Sequence, residues 1–372
     1  MLNSKNYNVG ITGIGMFVPE KTYDNSHFES YLDTSDEWIV QRTGVKVRHI
    51  AEPHTPTSEL AYNAAVKALE MSNTNPEELD LILVATITPD RLFPSTACTL
   101  QGRLGAKNAG ASDLLAACSG FIYTLSLAYS QVAMGLVKKV LVVGGEVMSS
   151  IIDYQDRGVC VLFGDGAGAV VLERIPPGQG GIQDFILKAD GSKGDILYMP
   201  GGGSLNPTTA ETVRQGMHTV KMEGREVFKL AVRHMTNLAR EIVSRNQMTI
   251  DDIDLIVIHQ ANLRIVQGVM NSLDLDMDKM SFNNIDRYGN TTAASIPLVL
   301  HDAFVENRLN KGDRVLLLSL GAGLTYAAGL LEWNLDRAVL GDKVALGQES
   351  IRNVESIKME AGSNGSGTVR AT

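Results

Sequence analysis

Cysteine is scarce in this chain: 372 residues carry three, Cys98, Cys118 and Cys160. Three scattered thiols form no disulfide framework and show no metal-ligand spacing, so neither a stapled secreted fold nor a metal site is indicated. No apolar run approaches the length of a membrane span. The N-terminal apolar stretch is broken by Gly10, Gly13, Gly15 and Pro19 and does not read as a signal peptide. A Gly-Lys-Ser/Thr phosphate loop is missing, which counts against nucleotide hydrolysis. Positive charge is in deficit, 33 Lys and Arg against 42 Asp and Glu, for a net charge of −9. That balance gives no support to a nucleic-acid partner or to binding at an anionic membrane surface, and the lack of a long apolar run none to membrane insertion. A reducing, cytoplasmic setting fits these absences best.

What is present is an apolar content of 44%, enough for a sizeable core in two domains or one double unit. The chain repeats itself. Leu79–Ala85 is matched by Ile253–His259, and 259 − 85 is 174. Val140–Val143 is matched by Val315–Leu318, and 315 − 140 is 175. The helical stretch after Cys118 aligns with 293–307, pairing Ala128 with Ala303 at the same offset of 175. Three matches in order at nearly one offset indicate two related halves. Helical stripes lie between the strands, one on Leu60, Ala61, Ala64, Ala65, Ala68 and Leu69, another on Val227, Phe228, Ala231, Leu238 and Ile242. Strands alternating with helices imply an α/β fold with largely parallel sheets. We expect an N-terminal half over 1–178, a C-terminal half over 179–335 and a flexible extension over 336–372. Gly191–Gln215 reads as a long loop.

Three segments carry the chemistry. Cys118 closes an apolar run and opens a helix, where free N–H groups and a partial positive charge stabilise a thiolate. A small buried residue is the plainer alternative. His259 falls at the carboxyl end of a second-half strand, and Asn290 precedes the helix that is the twin of the one after Cys118. Each alone reads as a core histidine or a turn residue. Ligands gather at strand carboxyl ends and helix amino ends, so packing of the two halves would bring all three to one crevice. Gly164-Asp165-Gly166-Ala167-Gly168 looks like a nucleotide loop, but a strand pattern follows it; it reads as a tight turn between strands. Trp38, beside Arg42, suits either adenine stacking or a half-buried anchor.

Taken together, Asp33–Gly44, Ala117–Phe121, Phe163–Ala169, His259–Ile265 and Gly289–Thr291 resemble the β-ketoacyl-acyl-carrier-protein synthase III family over about residues 8–333. The resemblance implies a thiolase-like, duplicated five-layer α/β/α/β/α fold and a homodimer. It implies a catalytic set at Cys118, His259 and Asn290, with oxyanion donors on the backbones of Cys118 and Ala322. Coenzyme A would lie against Thr34, Trp38, Arg42, Arg157 and Asn262. The acyl pocket would use Phe93, Met148, Phe163, Phe228 and Leu320, with Phe93 reaching across the dimer to cap the partner's pocket. Carrier-protein docking would fall on Gln260, Ala261, Asn262, Leu263 and Arg264, with Lys229 and Arg233. No cofactor or metal is implied; the substrates are an acyl-CoA and a malonyl-acyl-carrier protein.

The implied reaction is a decarboxylative Claisen condensation that starts fatty-acid synthesis. A thiolate takes the acyl group from a thioester, and loss of CO2 from a malonyl thioester supplies the carbanion. Neutral His259 and Asn290 would donate to the enolate oxygen. Some residues depart from the family pattern. Leu320 stands where many members carry phenylalanine, the helix after Arg264 lacks a basic pair, and the Gly201–Met217 loop is long. Alternatives are a condensing enzyme of secondary metabolism, a cysteine hydrolase and a non-catalytic acyl-CoA-binding scaffold. The duplicated halves have no role in the hydrolase, and the intact nucleophile speaks against the scaffold.

Overall fold

The computed structural model describes residues 7–340. Its first sheet comprises β1 (Asn8–Phe17), β2 (Leu81–Ala85), β3 (Gly110–Leu114), β4 (Lys139–Glu146) and β5 (Gly166–Ile175), in the order β1-β5-β4-β2-β3. The second contains β6 (Gly181–Ala189), β7 (Leu255–Ile258), β8 (Arg314–Gly321) and β9 (Thr325–Glu332), in the order β7-β8-β9-β6. The two orders coincide when β6, β9, β8 and β7 stand for β1, β5, β4 and β2. Register agrees as well: Leu81 pairs with Val140 in parallel, and Leu255 pairs with Val315 in parallel. Even the clamps repeat. Asp80 Oδ2 accepts from the Lys138 and Lys139 amides, and Asp254 Oδ2 accepts from the Arg314 amide. Where β3 would have its twin, the second sheet keeps one bridge, between Ile256 and Ser281.

Helices α1 (Asp36–Thr43), α2 (Thr57–Met71), α3 (Thr96–Leu104), α4 (Gly120–Met134), α5 (Gly224–Arg245), α6 (Leu263–Ser272) and α7 (Ser295–Val305) complete the layers. Both α4 and α7 begin at the carboxyl ends of strands and pack on sheet strands from both halves, α4 between the two sheets. Both are rich in apolar residues, as a helix enclosed by sheets requires. Helix α2 covers the outer face of the first sheet, and α5 with α6 covers the second. All six apolar residues of the α2 stripe are buried, and on α5 only Phe228 of its stripe remains partly exposed. Two glycines of β1 allow the close fit to α2. A Cβ at Gly13 would lie 2.1 Å from the Ala68 carbonyl oxygen, and one at Gly15 would lie 2.4 Å from that of Ala64.

Two readings of the sequence need correction. The Gly191–Gln215 segment is not one loop: it contains a 3-10 stretch, a short strand Leu197–Tyr198 paired with Lys221–Met222, and a helix Ala210–Arg214. Ahead of the strand at Gly166 lies the four-residue helix Arg157–Cys160, not another strand. Asp165 there is buried and accepts from the Ala51 and Ser149 amides and from the Ser149 hydroxyl, so the glycine-rich turn spends its acid on the chain itself. The unit that carries both sheets ends at Leu335 and is followed by a 3-10 helix, Arg337–Leu340; of the extension expected over 336–372, residues 341–372 lie outside the described residues. The Gly- and Ser-rich tail at 361–367 lies outside the described residues. Among the described residues no helix is long and apolar enough to cross a membrane, and no cluster of metal-ligating side chains occurs.

Candidate active site

A cavity of about 1050 Å³ opens where the two halves meet, and Cys118, His259 and Asn290 all line it. Cys118 sits in a 3-10 turn, Ala117–Ser119, one step ahead of α4. Ala117 holds a left-handed φ of 46°, and its twin Thr292 holds one of 52°, so both halves make the same tight entry into their central helix. The second half grips the first-half turn directly. The Ser319 hydroxyl donates to the Cys118 carbonyl at 2.8 Å, and the Thr325 hydroxyl donates to the Ala116 carbonyl at 2.9 Å. Gly321 passes so close that a Cβ there would lie 2.7 Å from the Cys118 nitrogen.

Burial pushes the Cys118 thiol up to about 12; the nearby Glu146 carboxylate adds to the rise and the cysteine's own N–H opposes it. The expected thiolate is therefore not the resting form. The helix start is present, but desolvation outweighs it. Burial likewise drives His259 down to about 3, so its imidazole is neutral. Its Nδ1 meets the Ser295 hydroxyl at 2.6 Å, while Nε2 is buried without a protein partner. Asn290 Oδ1 accepts from the Thr292 amide at 2.9 Å, which leaves its amino group for the cavity. Glu146, wholly buried, is pushed up to about 7 by burial, against hydrogen bonds from Thr88, Ile87 and Thr86.

Several expected neighbours meet at this cavity. Met148, Phe163, Phe228 and Leu320 form apolar wall, Ala322 lines it near Cys118, and Trp38, Arg42, Arg157 and Asn262 lie along its rim. Asn262 caps α6 through the Arg264 amide and donates to the Arg42 carbonyl, tying the two rim elements together. Arg157 stands 4.9 Å from the Trp38 ring and also donates to the Asp33 carbonyl. An adenine between them needs about 3.5 Å on each face, about 7 Å in all. In this conformation no such ring fits between Trp38 and Arg157.

Other expectations fall outside the cavity. Thr34 does not line it, and its hydroxyl is buried without a partner. Gln260 is buried, donating to the Ile258 carbonyl and to Asn283, so it presents nothing to a docking protein. Leu263 packs against the Cα of Gly44. Ala261, Arg264 and Lys229 line the cavity, whereas Arg233 is exposed away from it beside His234. Phe93 is 84% exposed and lies outside its own chain's cavity, next to the equally bare Leu92. The sequence reading missed Arg225, one turn before Lys229 in the cavity lining, and, behind the lining, Ser295 beside His259 and Ser319, Thr325 and Glu146 around Cys118. Arg225 was legible from its spacing of four to Lys229 on α5. The buried hydroxyls carried no signal, since a serine in an apolar strand looks alike whether it grips a neighbour or not.

The chain is similar to known proteins over most of its length. Two family models match, 3-oxoacyl-[acyl-carrier-protein] synthase III over residues 112–191 and its C-terminal counterpart over 243–333. The β-ketoacyl-[acyl-carrier-protein] synthase III of Desulfitobacterium hafniense strain Y51 is 50% identical over 326 residues, 88% of this chain and 98% of that protein. Among solved structures, the 3-oxoacyl-[acyl-carrier-protein] synthase III of Aquifex aeolicus VF5 superposes with a TM-score of 0.81 at 42% identity, covering 87% of this chain and all of that one. The priming β-ketosynthase of the R1128 polyketide pathway superposes equally well, at 0.81 and 33% identity, over 90% of this chain and 99% of its own. The fold is thus the thiolase-type duplicated α/β architecture, and the chain belongs to the β-ketoacyl-acyl-carrier-protein synthase III family.

Proposed function

We propose that this protein starts fatty-acid synthesis by condensing a short acyl-CoA with malonyl-acyl-carrier protein, releasing CO2 and 3-oxoacyl-acyl-carrier protein. One observation carries the reading: a buried cysteine, a neutral histidine and an outward-turned asparagine amide share one cavity with a tryptophan and arginines at its rim. Cys118 Sγ attacks the acyl thioester, and its proton leaves on the departing coenzyme A sulfur, so the exchange is proton-neutral. The backbone N–H groups of Cys118 and Ala322 hold the oxyanion of that step. The malonyl carboxylate then departs as CO2, and its electron pair passes to the thioester as an enolate. His259 Nε2 and Asn290 Nδ2 donate to the enolate oxygen, a contribution on the order of 10²-fold or more for one such donor. The enolate carbon attacks the acyl-cysteine, the carbon–sulfur bond breaks, and the expelled Cys118 thiolate takes up one proton from solvent, the proton the overall reaction consumes, which its buried setting favours. The steps as written require neither a metal nor nucleotide hydrolysis.

Trp38 and Arg157 flank the adenine once Arg157 moves, with Arg42 beside them. Met148, Phe163, Phe228 and Leu320 receive the acyl chain. The exposed cations Arg42, Arg157, Arg225, Lys229 and Arg264 gather at one rim of a chain whose net charge is −9, which suits phosphates and an acidic carrier. Lys229 is partly neutralised by Glu226 at 2.8 Å, so Arg264 and Arg225 lead in docking. The halves are divided at 178, and two copies pair through the open edge of β3, where Leu92, Phe93 and Leu115 stand exposed. A cytoplasmic setting accords with this chemistry.

Intact-mass measurement tests the core of the reading. Acetyl-CoA should add one acyl group, Cys118→Ala should remove that addition, and malonyl-acyl-carrier protein should discharge it. Label persisting on Cys98 or Cys160 in the variant overturns the assignment. The likeness to the R1128 priming enzyme supports a second reading, a starter-loading role in secondary metabolism. A panel of longer and branched acyl-CoAs separates the two by which one loads fastest.

A further inference from the structure

We propose that Ser295 is a positioning residue whose hydroxyl donates to His259 Nδ1, keeps the ring proton on Nε2 and so commits His259 to the enolate step alone. The inference rests on the condensing function proposed above and assigns the ring a single tautomer. Ser295 stands at the first position of α7, and its Oγ lies 2.6 Å from Nδ1. The Gln260 amide N–H approaches the same oxygen at 3.4 Å. Among the described residues Oγ has no other acceptor for its proton, so the serine O–H is directed at the ring nitrogen, which then accepts. The proton of a neutral imidazole therefore sits on Nε2, the nitrogen that is buried, has no hydrogen-bond partner in the protein and belongs to a cavity-lining side chain. Asn290 is fixed by the same device, because the Thr292 amide occupies its oxygen and leaves its amino group as the donor.

The internal repeat supplies an independent comparison. Residue 259 is the twin of Ala85 at the offset of 174, and residue 295 is the twin of Gly120 at 175. In the first half those two positions also touch: a Cβ on Gly120 would lie 3.0 Å from the Ala85 Cβ. One contact between a strand end and a helix start thus exists twice. In the first half it is bare packing, and in the second it carries a hydrogen-bonded pair facing the cavity. A ring whose Nε2 already bears a proton does not take one from Cys118, so acylation has to proceed without His259 as base.

Ring 15N NMR of the full-length protein with labelled histidine tests the tautomer directly, the His259 signals being identified by their loss in His259→Gln. The expected spectrum shows a protonated Nε2 and an unprotonated, hydrogen-bonded Nδ1; a proton on Nδ1 overturns the proposal. In Ser295→Ala, malonyl decarboxylation should fall about ten-fold while Cys118 acylation changes by less than about two-fold, and Ser295→Thr should recover much of the loss. Equal losses in both half-reactions, or none, also overturn it. If the wild-type protein neither acylates nor decarboxylates, the proposed function fails, and the spectrum still decides the tautomer. A poorly folded alanine variant leaves the wild-type spectrum to decide.

Discussion

At the scale of single residues, the site is built from neutral groups. A rise of the Cys118 thiol from 9.0 to about 12 corresponds to about 4 kcal/mol, more than the ~2 kcal/mol a helix terminus offers at best. Burial therefore decides the resting state, and Cys118 rests as a thiol. Alkylation of Cys118 by iodoacetamide should accordingly be slow and still accelerating above pH 9; a plateau below pH 8 would contradict the buried-thiol account. Asp302 shows the opposite balance. Burial would raise its carboxyl, but the His301 ring, the Arg287 guanidinium at 3.2 Å and the Asn284 amide hold it below the usual range. A lowered native value stabilises the fold above the ordinary carboxyl range, and that stabilisation is lost as pH falls through the native value. Asp302→Asn should cost roughly 1–3 kcal/mol at pH 7, with wild type and variant converging in denaturant titrations below about pH 4. A constant difference down to pH 3 would place the effect in packing.

At the scale of elements, the sequence exposed the strands and helices but not the grip between them. The α2 stripe, the apolar runs of β2, β4, β7 and β8, and the entry of α4 all follow from periodicity and length, which are local properties. The clasp of β8 and β9 on the Ala117–Ser119 turn is not local, because Ser319 and Thr325 reach partners about 200 residues away. Gly321 belongs to that clasp. Gly321→Ala should displace the Cys118 backbone by several tenths of an ångström or more, since its Cβ would lie 2.7 Å from that nitrogen. Acylation should then drop by up to about 10²-fold, the scale of a 1 Å misplacement. Circular dichroism should remain native. Full activity in this variant would mean the turn has slack that the geometry does not indicate.

At the scale of the whole molecule, a net charge of −9 opposes an acidic carrier, and the rim cations have to overcome it locally. Interactions among exposed charges fade as the Debye length shrinks from about 30 Å at 0.01 M salt to about 10 Å at 0.1 M. The KM for malonyl-acyl-carrier protein should therefore rise steeply with salt while that for acyl-CoA moves less. Arg264→Glu should raise the carrier KM several-fold and leave Cys118 acylation intact; a salt-independent carrier KM would move the docking face elsewhere. The doubling of the chain was legible because buried strands repeat their apolar pattern at nearly one offset, and the meeting of Cys118, His259 and Asn290 in one crevice followed from their places at strand and helix ends. Those are properties of short segments, so the amino-acid order alone determined them. Only the tertiary structure decided that the thiol is protonated, that Gln260 is sealed inside, that Arg157 closes on Trp38 and that Ser295 meets His259. Each depends on which distant surfaces exclude water or come within hydrogen-bonding reach, and sequence spacing carries no measure of either.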